Sequence, residues 1–261
     1  MIALGCETGS IELLHLTSTG SLSHVTRSTL HPGPVSALSM DATGSRIVSI
    51  GAGFLAVTSI APGLPVLGHT SAPSAITAFA CGKEADSSGA DGKTLVLLCS
   101  GERGKPSHIT ALSIPNNILS THHDSSLALN ASAMDARTLK VAAEIGSLAI
   151  TPHGIVAMGL SHHSLLYFSL SRTQVSETIR PTTYPAHAVR GVGQVIAPGE
   201  GALVASAGSD GALCLFDGED LGCRVGLALH NVSSSAVCAS SDGSKWVLCY
   251  VPLFQSSFWI A

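Results

Sequence analysis

Twelve histidines stand in this chain, and their clustering is the first feature with chemical potential. His122-His123-Asp124 and His162-His163 set two imidazoles side by side, and the first adds a carboxylate. Imidazole and carboxylate together can bind zinc or work as acid and base. Adjacent residues on a strand point to opposite faces, so a strand cannot offer both rings of a pair to one ion. A turn could, but no cysteine or carboxylate stands at a recognised zinc spacing around either pair. Both pairs are therefore expected to be turn residues, and no metal ligand is assigned.

Three further strings imitate catalytic or nucleotide-binding motifs. Ala207-Gly208-Ser209-Asp210-Gly211 has the spacing of a variant nucleophile elbow. That elbow needs a strand running into a helix, and here a second strand-like run follows at once. Gly92-Lys93-Thr94 resembles the end of a phosphate-binding loop, but Ser87 holds the place of the leading glycine. Gly191-Val192-Gly193 lacks its third glycine, since Ile196 stands there. No catalytic residue and no cofactor-binding residue is assigned.

The elements that would position these residues read as short strands. From Ala202 to Asp220 the sequence ALVASAGSDGALCLFDGED alternates, turns at Ser-Asp-Gly and alternates again. This is strand, tight turn, strand, with Asp210 placed to hydrogen-bond backbone in the turn. The pattern recurs. GCETGSIELLHL (Gly5 to Leu16) and GLSHHSLLYFSL (Gly159 to Leu170) align with it, and the later strands of the units start near Ser10, Phe54, His108, Ser164, Ala212 and Ser256. A second marker keeps phase: DATG at Asp41, SGADG at Ser88, TPHG at Thr151, PGEG at Pro198 and SSDG at Ser240. The starts are about 44 to 56 residues apart, and self-similarity at such a spacing is the mark of a repeat architecture.

The repeat resembles the WD repeat, the unit of a β-propeller blade. The resemblance implies an all-β propeller of WD-repeat type. About six blades are visible, in a ring of six or seven blades, closed or open. One domain is expected over residues 1–261, with a loop insertion at 83–93 and an unsettled phase at 105–150. Within that last stretch three readings stand. Met134-Asp135 ends one unit with ARTLKVAAEI as its outer strand; or MDA…GSLAIT copies MDA…GFLAVT from Met40 to Thr58; or a short helix runs from Ala133 to Glu144. The rival architecture is a pair of β-sandwiches.

WD repeats carry a buried network of His, Ser or Thr, Asp and Trp that fastens a blade. The resemblance assigns that role to His187, Ser206 and Asp210, with Asp217 closing the strand and Phe216 in place of the tryptophan. Gly68-His69 matches the family's Gly-His dipeptide. All of these are expected to hold structure and to do no chemistry.

Composition narrows the function. Charged residues are 11% of the chain, apolar residues 45%, and the formal net charge is −4. This offers no basic footprint for nucleic acid and no polybasic patch for a membrane surface. No apolar run reaches the ~20 residues of a membrane span, and the N-terminus lacks a basic leader region. The seven cysteines are odd in number, and several sit in apolar runs, as expected of buried free thiols. Asn130-Ala-Ser and Asn231-Val-Ser match glycosylation acceptors only by spacing. A cytoplasmic or nuclear protein is expected, not a secreted one.

Aromatics make up only 4% of the chain, yet Trp246, Tyr250, Phe254, Phe258 and Trp259 gather near the C-terminus. They fill the core of a last blade, or Phe254, Phe258 and Trp259 form a partner surface. The sequence is read as opening and closing in mid-blade, so either the chain is a fragment, or the ring is open, or a partner chain supplies the missing strands. The function implied by the resemblance is a non-catalytic scaffold or adaptor subunit whose partners are other proteins. The alternative is a propeller-based, hydrolase-like enzyme using the His/Asp clusters.

Overall fold

The computed structural model describes residues 1–41, 44–73, 75–83, 93–115, 135–151, 154–159, 164–169, 182–185, 194–197, 203–208, 210–218, 221–228, 232–239 and 246–252. Every regular element among them is a β-strand. The strands group into small sheets, each a run of consecutive strands in sequence order.

The first sheet is β1 (Ile2–Gly5), β2 (Ser10–Leu16) and β3 (Leu22–Thr29). The second is β4 (Val35–Met40), β5 (Arg46–Gly51), β6 (Phe54–Ser59) and β7 (Val66–Ser71). The third runs β8 (Ile76–Lys83), β9 (Lys93–Ser100), β10 (Ser107–Pro115) and β11 (Asp135–Val141). The fourth is β12 (Ile145–Ile150), β13 (Gly154–Gly159), β14 (Ser164–Ser169) and β15 (Thr182–Pro185). The fifth is β16 (Gln194–Ile196), β17 (Leu203–Ala207), β18 (Ala212–Asp217) and β19 (Cys223–Ala228). The last is the antiparallel pair β20 (Val232–Ala239) and β21 (Trp246–Pro252). The chain divides into two compact units: Met1–Val96 with Ala111–Ala136, and Leu97–Thr110 with Arg137–Ala261.

The repeat read from the sequence sets these boundaries. Strands β2, β6, β10, β14 and β18 begin at Ser10, Phe54, Ser107, Ser164 and Ala212, within one residue of expectation; Ser256 lies outside the described residues. The five Asp-, Pro- and Gly-rich markers fall between β4 and β5, β8 and β9, β12 and β13, β16 and β17, and β20 and β21. Each marker therefore separates the first strand of a sheet from the second.

The unsettled stretch holds the outer strand of the first reading but not its unit-ending dipeptide: Asp135 opens that strand, β10 ends at Pro115, and Met134 lies outside the described residues. Residues Asp135–Val141 are a strand at the edge of the third sheet, beside β10. The helix at Ala133 to Glu144 is excluded by that strand. The copy reading is excluded because Ile145–Ile150 opens a sheet, whereas Phe54–Ser59 is third in its own. Leu139 and Val141 are more buried than Thr138 and Lys140, the two-residue alternation of a strand.

Middle strands lose that alternation. Ile47 to Gly51 of β5 and all of β13 are buried on both faces, as happens when a strand has a layer on each side. Within the first unit, Ile11 and Leu13 of the first sheet pack on Ile47 and Leu64 of the second. Within the second unit, Ala149, Val156, Met158 and Leu165 of the fourth sheet meet Val195, Val204, Cys214 and Phe216 of the fifth. Ala205, Ala207 and Leu213 meet Val237 of β20 in turn. Within each unit these sheets thus pack against one another, each apolar face removing its neighbour's from water at roughly 25 cal/mol per Å².

Candidate functional site

The most constrained polar cluster surrounds His31, which precedes β4 and is only 2% exposed. Its Nδ1 lies 3.2 Å from the Gly51 carbonyl and its Nε2 lies 2.8 Å from Ser49 Oγ. A carbonyl only accepts, so Nδ1 carries the proton and donates to Gly51. Nε2 is then the acceptor, and the Ser49 hydroxyl donates to it. Ser49 is fully buried in β5. Burial lowers the His31 pKa from its ordinary value, against a smaller opposing effect of the Gly51 bond. The ring is held neutral and ties the segment before β4 to the end of β5.

Two glycines make room for it. Gly9, at φ 79°, accepts the His31 N–H at 3.1 Å through its carbonyl. A Cβ there would lie 2.0 Å from the His31 carbonyl oxygen. At Gly51 a Cβ would lie 2.7 Å from the Pro34 carbonyl and 2.9 Å from the imidazole. Both positions demand the bare backbone.

The turn between β4 and β5 is held by Asp41, which is 7% exposed. Its Oδ1 accepts the backbone N–H groups of Ser45 at 2.9 Å and Arg46 at 3.0 Å. Thr151 repeats the device at the start of the β12–β13 turn, where its Oγ1 accepts the Gly154 N–H at 3.1 Å. In the same unit as Asp41, Cys81 has its thiol pushed up to about 12, by burial first and by the Asp41 charge second. Such a thiol is inert as a nucleophile at neutral pH.

Three of the residues singled out from the sequence lie in the fifth sheet, in β17, the β17–β18 turn and β18. Ser206 is fully buried in β17, opposite Cys214 of β18. Asp210 sits in the β17–β18 turn, and its Oδ1 accepts the Ala212 N–H at 3.0 Å. Asp217 ends β18, where its N–H donates to the Gly222 carbonyl and its carbonyl accepts the Leu221 N–H. Phe216 is buried against Val204 and the fourth sheet. His187 lies outside the described residues, as do Phe254, Phe258, Trp259, His122, His123, Asp124, His162 and His163. Among the described residues no group of three metal-ligating side chains comes together.

His69 lies in β7, the last strand of its sheet, opposite Ala56 and ahead of β8. The histidine seen bonded to a strand serine is His31, which sequence reasoning passed over because Leu30 replaces the glycine of the Gly-His dipeptide. Spacing could have found it: His31 is 18 residues before Ser49, and His187 is 19 before Ser206. The second sheet also lacks an acid like Asp210, for a geometric reason. Its β5–β6 turn is Ala52-Gly53, with φ 48° and 80°, between the paired Gly51 and Phe54. A two-residue turn of this primed type leaves no position for it.

These sheets, stacked within each unit and fastened by polar turns, define the WD-repeat type of β-propeller fold. No protein-family model matches the chain, and no curated protein resembles it in sequence. Among solved structures it is similar to Sqt1 of Chaetomium thermophilum bound to the N-terminus of the ribosomal protein L10, with a TM-score of 0.62 and 17% identity. A second structure of Sqt1 from the same organism gives a TM-score of 0.61 and 17% identity. Each match covers 94% of this chain and 64% of the other, so the chain spans under two thirds of those structures. At this identity the likeness establishes the fold.

Proposed function

We propose that the protein is a non-catalytic interaction scaffold, an adaptor subunit that presents loops and sheet edges to other proteins. The observation that carries this reading is the propeller fold shared with Sqt1, a structure in which that fold holds a peptide of another protein. The site chemistry is consistent with it. His31, Ser49, Asp41, Thr151 and Asp210 are each engaged with the chain's own backbone or with one another. Their hydrogen bonds fasten turns. The charge of −4 favours protein partners over nucleic acid. A reducing compartment, cytoplasmic or nuclear, accords with Cys6, Cys81, Cys99 and Cys214 being free of disulfides. Among the described residues no helix is long and apolar enough to cross a membrane.

The test is purification of the tagged full chain from its native cell, with partners identified by mass spectrometry and each rebuilt from purified components. A defined partner binding in fixed stoichiometry supports the reading. A protein that migrates alone in native extract and hydrolyses ester probes, with turnover lost on His122→Ala or His162→Ala, refutes it in favour of the enzyme.

A further inference from the structure

The β1–β2 and β17–β18 turns close with the same two backbone hydrogen bonds. The Cys6 N–H donates to the Ser10 carbonyl and the Gly9 N–H to the Cys6 carbonyl; Gly208 to Ala212 and Gly211 to Gly208 repeat the pair. Gly9 and Gly211 both take a left-handed φ, of 79° and 74°. Thr8 therefore holds the place of Asp210. In the fifth sheet that place is an acid, whose Oδ1 accepts the Ala212 N–H. In the first sheet it is an exposed hydroxyl.

A second change accompanies the first. Arg27 of β3 stands opposite Glu12, the third residue of β2. Opposite the third residues of β6, β14 and β18 stand His69, Thr183 and Gly226. Of these four sheets, the first alone places a guanidinium there, and it reaches the turn. Nη2 of Arg27 donates to Thr8 Oγ1 at 3.3 Å and Nε to Ser10 Oγ at 3.1 Å, while Nη1 pairs with Glu12 at 3.1 Å. The two hydroxyls lie 2.9 Å apart. Ser10 is fully buried, so Thr8 is the hydroxyl of the two that an enzyme can reach. A guanidinium has N–H donors enough to keep Glu12 and to take a phosphate oxygen in place of a hydroxyl. The turn that lost its acid has thus gained both an acceptor for an anionic group and a cation beside it.

We propose that Thr8 is a phosphorylation site and that Arg27 is the receptor for its phosphate. The donor is a nucleoside triphosphate, delivered by a protein kinase. The bond from Thr8 Oγ1 to the γ-phosphorus forms as that phosphorus parts from its bridging oxygen. The diphosphate leaves, and the hydroxyl proton passes to the kinase's base. The product restores an anion where the fifth sheet keeps Asp210, and Arg27 answers it with charge-assisted hydrogen bonds. Its position matters to the second sheet, because the same turn holds the segment before β4. The Gly9 carbonyl accepts the Leu30 and His31 N–H groups, and the Cys6 carbonyl accepts that of Val35. A phosphate clamped to Arg27 ties this turn more firmly to β3. The inference goes beyond the scaffold reading and does not depend on it.

Two measurements on the full chain test this. First, the chain is purified from its native cell under phosphatase inhibition and its peptides are mapped by mass spectrometry. Phosphate is expected on Thr8 and not on the buried Ser10. Second, the full chain made with phosphothreonine at position 8 is titrated by phosphorus NMR, beside a phosphopeptide copying residues 4–12. The phosphate's second ionisation should fall about half a pH unit below that of the peptide. This is less than the full effect of a neighbouring cation, because the carboxylates of Glu7 and Glu12 oppose it. Arg27→Gln should return the titration to the peptide's value. The Arg27 side chain is half exposed, so the fold is kept, as circular dichroism will show. Native material without phosphate on Thr8, or a titration that matches the peptide with Arg27 in place, overturns the proposal. Inorganic phosphate that moves the Arg27 Nε resonance of the unmodified chain just as far makes the cluster a receptor for a free anion, and overturns it too. Neither measurement involves a protein partner, so failure here leaves the scaffold reading to its own test.

Discussion

The His31–Ser49 pair offers the sharpest test of how this worn repeat is held together. His31→Ala removes both ring hydrogen bonds and leaves the Gly51 carbonyl and the Ser49 hydroxyl without the partner they have now. An unsatisfied buried acceptor costs about 1–3 kcal/mol, and each lost bond contributes about 1 kcal/mol net. The site is 2% exposed, so the missing ring also leaves a cavity. Together these amount to about 3–5 kcal/mol, a large part of the ~5–15 kcal/mol that stabilises a typical domain. Ser49→Ala removes a single bond and leaves Nε2 bare, for about 1–2 kcal/mol. The double variant should then cost no more than His31→Ala alone. The coupling energy read by urea denaturation under circular dichroism should be about 1–2 kcal/mol. Additive single effects, with coupling below about 0.3 kcal/mol, would refute the pairing. The ring also carries a pH signature. Because burial lowers its pKa, the unfolded chain takes up the proton first. The stability it lends is full above the unfolded value of about 6.5 and is lost as pH falls below it, levelling off under the folded value. His31→Gln should therefore lose less stability than the unaltered chain between pH 7 and pH 5. A steeper loss in the variant would mean that the ring is charged in the fold.

Three further outcomes are expected. Gly9→Ala should destabilise by about 2–4 kcal/mol, since a left-handed φ of 79° is joined to a Cβ 2.0 Å from the His31 carbonyl; an unchanged urea midpoint counts against the packing described. Asp41→Ala should cost about 1–3 kcal/mol and Asp41→Asn distinctly less, because an amide oxygen can still accept the Ser45 and Arg46 N–H groups; equal losses would place the effect in the charge. Native Cys81, its thiol pushed up to about 12, should react with iodoacetamide at pH 8 about three orders of magnitude more slowly than in urea, roughly the ratio of thiolate populations; peptide mapping after quenching reads this directly, and equal rates would refute it.

The strands were legible because two kinds of signal agreed. Alternation marks a strand, and Asp- or Gly-rich turns fix where the next begins; at Ser10, Phe54, Ser164 and Ala212 the two coincide. The stretch at 133–144 was ambiguous because Ala, Leu, Lys and Glu favour helix when read alone. What decides it is the neighbouring strand β10, a long-range partner that composition does not encode. Part of one copy of the polar pattern was legible: Asp210 sits in a longer turn that keeps an acid, just after Ser206 in β17, so the two stand out. His31 and Ser49 sit beside a two-residue turn that has lost it, and the glycine before His31 is Leu30. The bond survived while the motif that advertises it did not.

That contrast bears on how a propeller can diverge without unfolding. The strand-to-strand role of each fastener is filled by different chemistry in different sheets: Asp210 in one turn, Thr8 and Ser10 in the corresponding one, Asp41 and Thr151 in the turns between first and second strands. Asp41, Thr151 and Asp210 each satisfy one or two local donors, within a few residues along the chain, while Thr8 and Ser10 also accept from the Arg27 guanidinium farther on. His31 is a long-range fastener, spanning 18 residues to Ser49 and 20 to Gly51. Local fasteners can be exchanged one at a time, since a different hydroxyl or carboxylate answers the same backbone N–H. A long-range one cannot, because two distant positions must change together. The second sheet should therefore keep its histidine under substitution pressure while its turns drift. A library randomised at positions 31 and 49 and selected for folded protein tests this. It should return His with Ser or Thr together, or two apolar residues together, and mixed pairs only rarely; free recombination of the two positions would show that the bond is dispensable.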